Sequence, residues 1–530
     1  MTEYIDANTL RAWLSDGREI ALIDVREHGQ YGERHLFFAV SIPYSVFELR
    51  LAMLVPNPGV RLVLYDEGDG VAEHAAARAE SGGHTDVHIL RGGAAAWEAA
   101  GSTLYAGVNV PSKAFGELVE IERHTPHVTA DELKAMIDAG KNMVIVDGRT
   151  FAEFQRVSIP SGRSCPNGEL ALRIDAIAPD PETTIVVNCA GRTRSIIGAQ
   201  TLIDLAVPNR VVALENGTQG WSLAGLDLDH GVSAPHPTNA TLGDIETRRV
   251  RVRALAERRG VRFIEADELA EWFNDQTRTT YLIDIRDDKE FAAEGLPGMI
   301  HAPGGQLVQA TDHWIGVRGA RVVLADSELV RAPVIAAWLR QLGHEAYVLV
   351  GGIDAVRRLE EGLPARSIQL RQLPEISAGE LKALIDADAV QLVDLRPSMA
   401  YREAHVHGSV WSIRPRLAAL GLDPSSPVVL ISDEPGVAQL AAIDLAETGI
   451  NNVRRLDGNV DRWREAALPI IATPDLPADA ECVDFLFFTH RRLVGDPEHS
   501  RQYLKWEIGL VDQLDETERA AFRIVPAPEA

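Results

Sequence analysis

Leu22-Ile23-Asp24-Val25-Arg26, Ile145-Val146-Asp147-Gly148-Arg149, Leu282-Ile283-Asp284-Ile285-Arg286 and Leu392-Val393-Asp394-Leu395-Arg396 are four copies of one phrase, an apolar run ending in Asp-x-Arg. They recur roughly every 110–135 residues, which is the size of a domain rather than the period of a solenoid. Working outward, an amphipathic helix pattern precedes each copy. In Thr129-Ala130-Asp131-Glu132-Leu133 the threonine is an N-cap and Glu132 completes a capping box. Similar openings stand at Asn8-Thr9-Leu10, Glu265-Ala266-Asp267-Glu268-Leu269 and Ser377-Ala378-Gly379-Glu380-Leu381. A second apolar strand follows each phrase: Leu62-Val63-Leu64-Tyr65, Ile185-Val186-Val187-Asn188, Val322-Val323-Leu324-Ala325 and Val428-Val429-Leu430-Ile431. An alanine-rich helix and a further short strand come next. Each copy closes on glycine, with Gly92-Gly93 before Trp97, Gly217 before Trp221, Gly351-Gly352 before Val356 and Gly458 before Trp463. Strands alternating with helices predict a mainly parallel sheet with helices on both faces.

The chain therefore reads as four tandem α/β domains, over residues 1–108, 123–233, 258–366 and 372–474, with a C-terminal helical extension over 475–530. Linkers are expected near 108–125, 232–258 and 365–374. The extension carries an aromatic cluster, Phe485-Leu486-Phe487-Phe488, and a helical stretch from about Pro497 to Phe522. It reads as a cap whose apolar face packs on a neighbouring domain.

At 530 residues the chain is too long for one core. A net charge of -25 makes the surface repel nucleic acid and anionic membranes, so neither is expected as a partner. A local basic pocket can still hold a small anion. The start, Met1-Thr2-Glu3-Tyr4-Ile5-Asp6, has no basic region followed by an apolar one, so no leader is expected. No apolar run is long enough to cross a bilayer. The cysteines Cys165, Cys189 and Cys482 are few, odd in number and scattered. That pattern argues against a disulfide framework and for a reducing cytoplasm.

One run carries the chemistry: Val186-Val187-Asn188-Cys189-Ala190-Gly191-Arg192-Thr193-Arg194-Ser195-Ile196. A strand ends, one thiol follows, and a short loop leads into a helix. The layout gathers backbone N–H groups, a helix N-terminus and two guanidinium groups around one sulfur. Cys189 is thus expected to ionise easily and to act as nucleophile. Ala190, Gly191, Arg192, Thr193, Arg194 and Ser195 are the expected substrate-binding loop, with Gly191 permitting the curl that turns the amides inward.

The Asp-x-Arg phrases, the loop after the later strand and the closing Gly-Gly-x-x-x-Trp resemble the rhodanese, or sulfurtransferase, superfamily over about residues 1–474. The resemblance implies a doubly wound fold and transfer of sulfane sulfur through a cysteine persulfide. The donor would be a small anion such as thiosulfate, and the acceptor cyanide or a thiol, by double displacement without metal or organic cofactor. The Asp-x-Arg pairs read as structural. Two arginines suit a dianionic donor, and the Cys-Gly-Ser/Thr-Gly-Val-Thr loop of mercaptopyruvate-using relatives is not matched. A cysteine phosphatase needs an Arg six positions beyond its nucleophile. Here Arg194 lies five on, and Ser195 takes the sixth place.

Aligning the four loops sets Asp66, Asp326 and Asp433 where the second repeat has Cys189, so the first, third and fourth domains are expected to be inactive. Their carboxylates would hold the loop amides as a thiolate does. A scaffold or persulfide relay that delivers sulfur to a partner protein is the alternative function. Two-domain relatives lead one to expect repeats one with two, and three with four, to pair. Cys165 and Cys482 read as buried thiols, although Cys165 could receive sulfur from Cys189 or pair with it. Arg163 and Arg173 read as solvated or structural, and His405-Val406-His407 places two rings on one side of an extended segment without metal-ligand spacing.

Overall fold

The computed structural model describes residues 2–237, 244–359, 363, 368–487 and 496–526. Each repeat builds one five-stranded sheet. Counting only the strands that belong to each five-stranded sheet, all four sheets share the order first, fifth, fourth, second, third. In the second repeat the strands are His127–Val128, Met143–Asp147, Arg163–Ser164, Thr184–Asn188 and Val211–Leu214, and every pairing is parallel. The central strands are buried on both faces, which is why they read as unbroken apolar runs. Each fully buried Val, Leu or Ile contributes about 1.5–3 kcal/mol, so these strands anchor each repeat. The fourth repeat adds a short antiparallel pair, His405–Val406 with Ile470–Ile471.

The helix openings follow the caps. Thr129 with Glu132 and Ser377 with Glu380 form complete capping boxes. The Asp-x-Arg phrase closes on itself. In the second repeat Arg149 donates to both oxygens of Asp147, at 2.9 and 2.7 Å, and to the carbonyl of Val157 at 2.6 Å. The same fork-to-fork pair recurs at Asp24–Arg26, Asp284–Arg286 and Asp394–Arg396, buried each time. It ties the end of a central strand to the loop beyond the next helix.

The described residues fall into two compact units. One holds residues 1–12, 21–108 and 366–488, and the other holds 13–20, 109–365 and 489–530. The first repeat is thus grouped with the fourth and the second with the third, contrary to the pairing of sequence neighbours expected above. Buried arginines explain the grouping. In the first unit Arg414 pairs with Glu48 at 2.5 Å and stacks on Tyr44. In the second, Arg331 reaches Glu169 at 2.9 Å, Trp338 donates to Thr201 at 2.8 Å, and Gly168 packs on Gly304 and Gly305 too closely to admit a side chain.

Two segments expected as linkers are helices. Val110–Arg123 has Pro111 in its first turn, where the missing N–H costs nothing, and buries Ala114, Phe115, Leu118 and Val119. Ile245–Arg258 buries Val252, Leu255 and Ala256. Their proline and polar flanks masked a helical apolar spacing. The extension supplies the helices Pro497–Ile508 and Glu516–Ala520, joined by a tight turn. Of the aromatic cluster, Phe485 and Phe487 meet edge to face, and Phe488 lies outside the described residues. No helix among the described residues is long and apolar enough to cross a membrane.

Candidate active site

The strand Thr184–Asn188 delivers Cys189 to the sheet's carboxyl end, and the helix Thr193–Asp204 begins four residues later. The carbonyl of Cys189 accepts from the N–H of Thr218 at 2.9 Å, and that of Ala190 from Gln219 at 3.1 Å. This close approach needs Gly217 in a left-handed conformation, because a Cβ there would stand 2.3 Å from the Cys189 carbonyl oxygen. The closing glycine seen in the sequence therefore clamps the loop. The Cys189 thiol donates to Ser195 Oγ at 3.6 Å, and Ser195 donates onward to the carbonyl of Arg192 at 2.8 Å.

Cys189 is only 2% exposed and borders a small pocket of about 50 Å³. Ala190, Gly191, Arg192, Thr193 and Arg194 line it, together with Lys113, Gln309, Tyr503 and Glu507. Ser195 is not among the lining residues but accepts the hydrogen bond from the Cys189 thiol. The two arginines are not free to meet a substrate as bare charges. Arg192 donates to both oxygens of Glu117, at 2.7 Å each, and to Glu120. Arg194 forms a bidentate pair with Glu153, at 2.8 Å on both arms. Burial would raise Glu153, but Arg194 and the hydrogen bonds from Thr150 bring its carboxyl down to about 2. Glu117 goes the other way: burial pushes it up to about 7 in spite of Arg192.

The thiol differs from expectation for the same reason. Burial pushes Cys189 above the ordinary thiol range, while Arg194 and hydrogen bonding with Ser195 and with the Gly191 backbone pull it down without prevailing. With Arg192 and Arg194 already balanced by carboxylates, desolvation wins.

The other loops show what the geometry holds when sulfur is absent. Asp66 accepts from the N–H groups of Gly68, Gly70 and Ala72, at 2.8–3.0 Å. Asp326 accepts from Leu329, Val330 and Arg331, at 2.8–3.1 Å. In the fourth repeat the alignment requires correction. Leu395 donates to the carbonyl of Ile431, as Gly148 does to that of Asn188, so Ser432 stands in the place of Cys189. Asp433 is one residue further on and exposed.

The remaining sequence candidates lie elsewhere. Cys165 is fully buried among Val146, Leu170 and Val187, where burial pushes its thiol up. Cys482 is buried against the carbonyls of Ala478 and Pro477. Arg173 is bound to Glu169 at 2.6 Å, and Arg163 is exposed. His405 is buried and stacked on Tyr401, whereas His407 is exposed. Glu117, Glu120, Lys113, Tyr503 and Glu507 were missed as site residues because they sit in a segment that read as linker or in one that read as cap. The Glu117–Glu120 spacing on a helix face was their one visible signal.

A parallel sheet carrying a thiol in a loop at its carboxyl edge, repeated as three copies without that thiol, defines an α/β protein of tandem design. The profile of the rhodanese-like domain matches residues 6–100, 129–224, 265–359 and 377–466. The chain belongs to the rhodanese family. A crystal structure of a thiosulfate sulfurtransferase from Pseudomonas aeruginosa superposes with a TM-score of 0.90 at 38% identity, covering 99% of this chain and 100% of that one. The thiosulfate sulfurtransferase GlpE of Shewanella oneidensis is 30% identical over 93 residues, which are 17% of this chain and 92% of that protein. The HTH-type transcriptional regulator Rv0324 of Mycobacterium tuberculosis is 31% identical over 109 residues, 21% of this chain and 47% of the regulator.

Proposed function

We propose that this chain is a sulfurtransferase that carries sulfane sulfur on Cys189, taking it from thiosulfate or a similar donor and passing it to cyanide or a thiol. One observation carries the reading. Of the four equivalent loops, this one alone places a sulfur where the others place Asp66, Asp326 and Ser432.

In the first half-reaction the Cys189 thiolate attacks the outer sulfur of the donor. The new S–S bond forms as the donor's S–S bond breaks, and the electron pair leaves with sulfite. The amides that Asp326 shows converging on a carboxylate are, in the second repeat, available to the developing anion. Ser195, linked to both the sulfur and the Arg192 carbonyl, fixes the direction of the thiol proton. In the second half-reaction a thiophilic acceptor attacks the outer sulfur of the persulfide and releases the Cys189 thiolate. Neither half needs a metal or an organic cofactor for its electron balance. Repeats one, three and four, having no sulfur at this position, serve as structural partners.

The small pocket and the 2% exposure of Cys189 favour small-molecule acceptors over a protein relay. Steady-state turnover with thiosulfate and cyanide tests the reading. Activity in the wild type that vanishes in Cys189→Ser supports it, and activity that survives the substitution rejects it.

A further inference from the structure

Glu507 is a group for which this reaction has no use. It lies on the helix Pro497–Ile508, is 2% exposed, and lines the same pocket as Cys189. Its Oε1 accepts from Thr193 Oγ1 at 2.8 Å. Its Oε2 is buried and has no hydrogen-bond partner among the described residues, and it lies 3.4 Å from where a Cβ on Gly191 would stand. A buried carboxylate oxygen left unmatched is costly, and here it faces the space a substrate enters. Around the pocket, Lys113, Arg192 and Arg194 stand among the acidic side chains Glu117, Glu120, Glu153 and Glu507. Arg192 and Arg194 are each already bound to one or two of them.

We propose that Glu507 sets the charge class of the sulfur donor, so that the pocket favours sulfane-sulfur compounds of at most one negative charge, such as small organic thiosulfonates and persulfides, over dianionic thiosulfate. The proposal rests on Cys189 being the sulfur carrier. A fixed negative charge opposes an approaching anion in proportion to that anion's charge. The chemistry is otherwise the same: with methanethiosulfonate the thiolate takes the outer sulfur, the S–S bond breaks, and methanesulfinate leaves with the electron pair.

Single-turnover persulfidation of the full chain with thiosulfate and with methanethiosulfonate tests this, in wild type, Glu507→Gln and Glu507→Asp. In Glu507→Gln the thiosulfate rate constant is expected to rise about tenfold and that of methanethiosulfonate about threefold, shifting their ratio about threefold toward the dianion. Glu507→Asp, which keeps the charge, is expected to keep the wild-type ratio. Both donors are read on one preparation, so loss of folded protein cancels. An unchanged ratio in Glu507→Gln, or an equal shift in Glu507→Asp, overturns the proposal while leaving Cys189 as carrier intact. Wild-type protein that takes sulfur from neither donor overturns both.

Discussion

The Cys189 loop of the second repeat and the Asp326 loop of the third are the same device put to two uses. Each follows a buried central strand and turns into a helix. Each has an arginine five residues on, Arg194 and Arg331, and each arginine binds the glutamate of a capping box, Glu153 and Glu290. They differ at the first residue. Asp326 brings its own anion and fills three amides with it, whereas Cys189 brings a neutral, buried thiol. The comparison teaches that the arginine five places on belongs to the scaffold, since the loop without sulfur has it too. It is therefore weak evidence for recognition of a dianion.

Substitutions can break this comparison, and the largest effect is expected from Cys189→Asp. It should make the second loop resemble the third: turnover with thiosulfate and cyanide falls to background, while the thermal unfolding midpoint holds or rises. A drop in the midpoint would mean that the two loops are not interchangeable. Next comes Asp326→Ala, which strands three amide donors beside the buried Arg331 and is expected to cost about 2–4 kcal/mol. Denaturant unfolding should show this as an earlier transition. Ser432→Ala removes only a hydrogen bond to the Glu434 carbonyl, so about 1 kcal/mol is expected. Asp433→Ala, at an exposed position, should stay within about 0.5 kcal/mol. If Asp433→Ala proved the more damaging of that pair, the register assigned to the fourth loop would be wrong.

Acidity sharpens the same contrast. Burial raises the folded-state pKa of Cys189, so its neutral form stabilises the fold. That contribution is full below the ordinary thiol pKa and is lost as pH rises through the raised value. Alkylation of Cys189 by iodoacetamide is accordingly expected to keep accelerating beyond the pH at which a free thiol levels off. A plateau near neutrality would show an already ionised thiolate.

The fold was legible because each repeat writes its helix cap, its buried strand and its Asp-x-Arg lock in consecutive residues. Such local signals survive in sequence. The position of Cys189 was legible for the same reason. Its electrostatics were not: Arg192 and Arg194 advertise positive charge, while Glu117, Glu120 and Glu507 arrive from distant segments whose role only folding reveals. The fourth loop misled because an acidic residue at 433 matched Asp66 and Asp326 in chemistry, whereas backbone pairing puts Ser432 in register. Repeat pairing could not be read from order along the chain. It depends on single buried residues such as Arg331 and Arg414 that find carboxylates far away in sequence.

Intact mass and peptide mapping after exposure to thiosulfate test the central claim most directly. The account predicts one added sulfur per chain, located on Cys189, and none in Cys189→Ser. No added sulfur in the wild type, or sulfur mapped to Cys165 or Cys482, would contradict it.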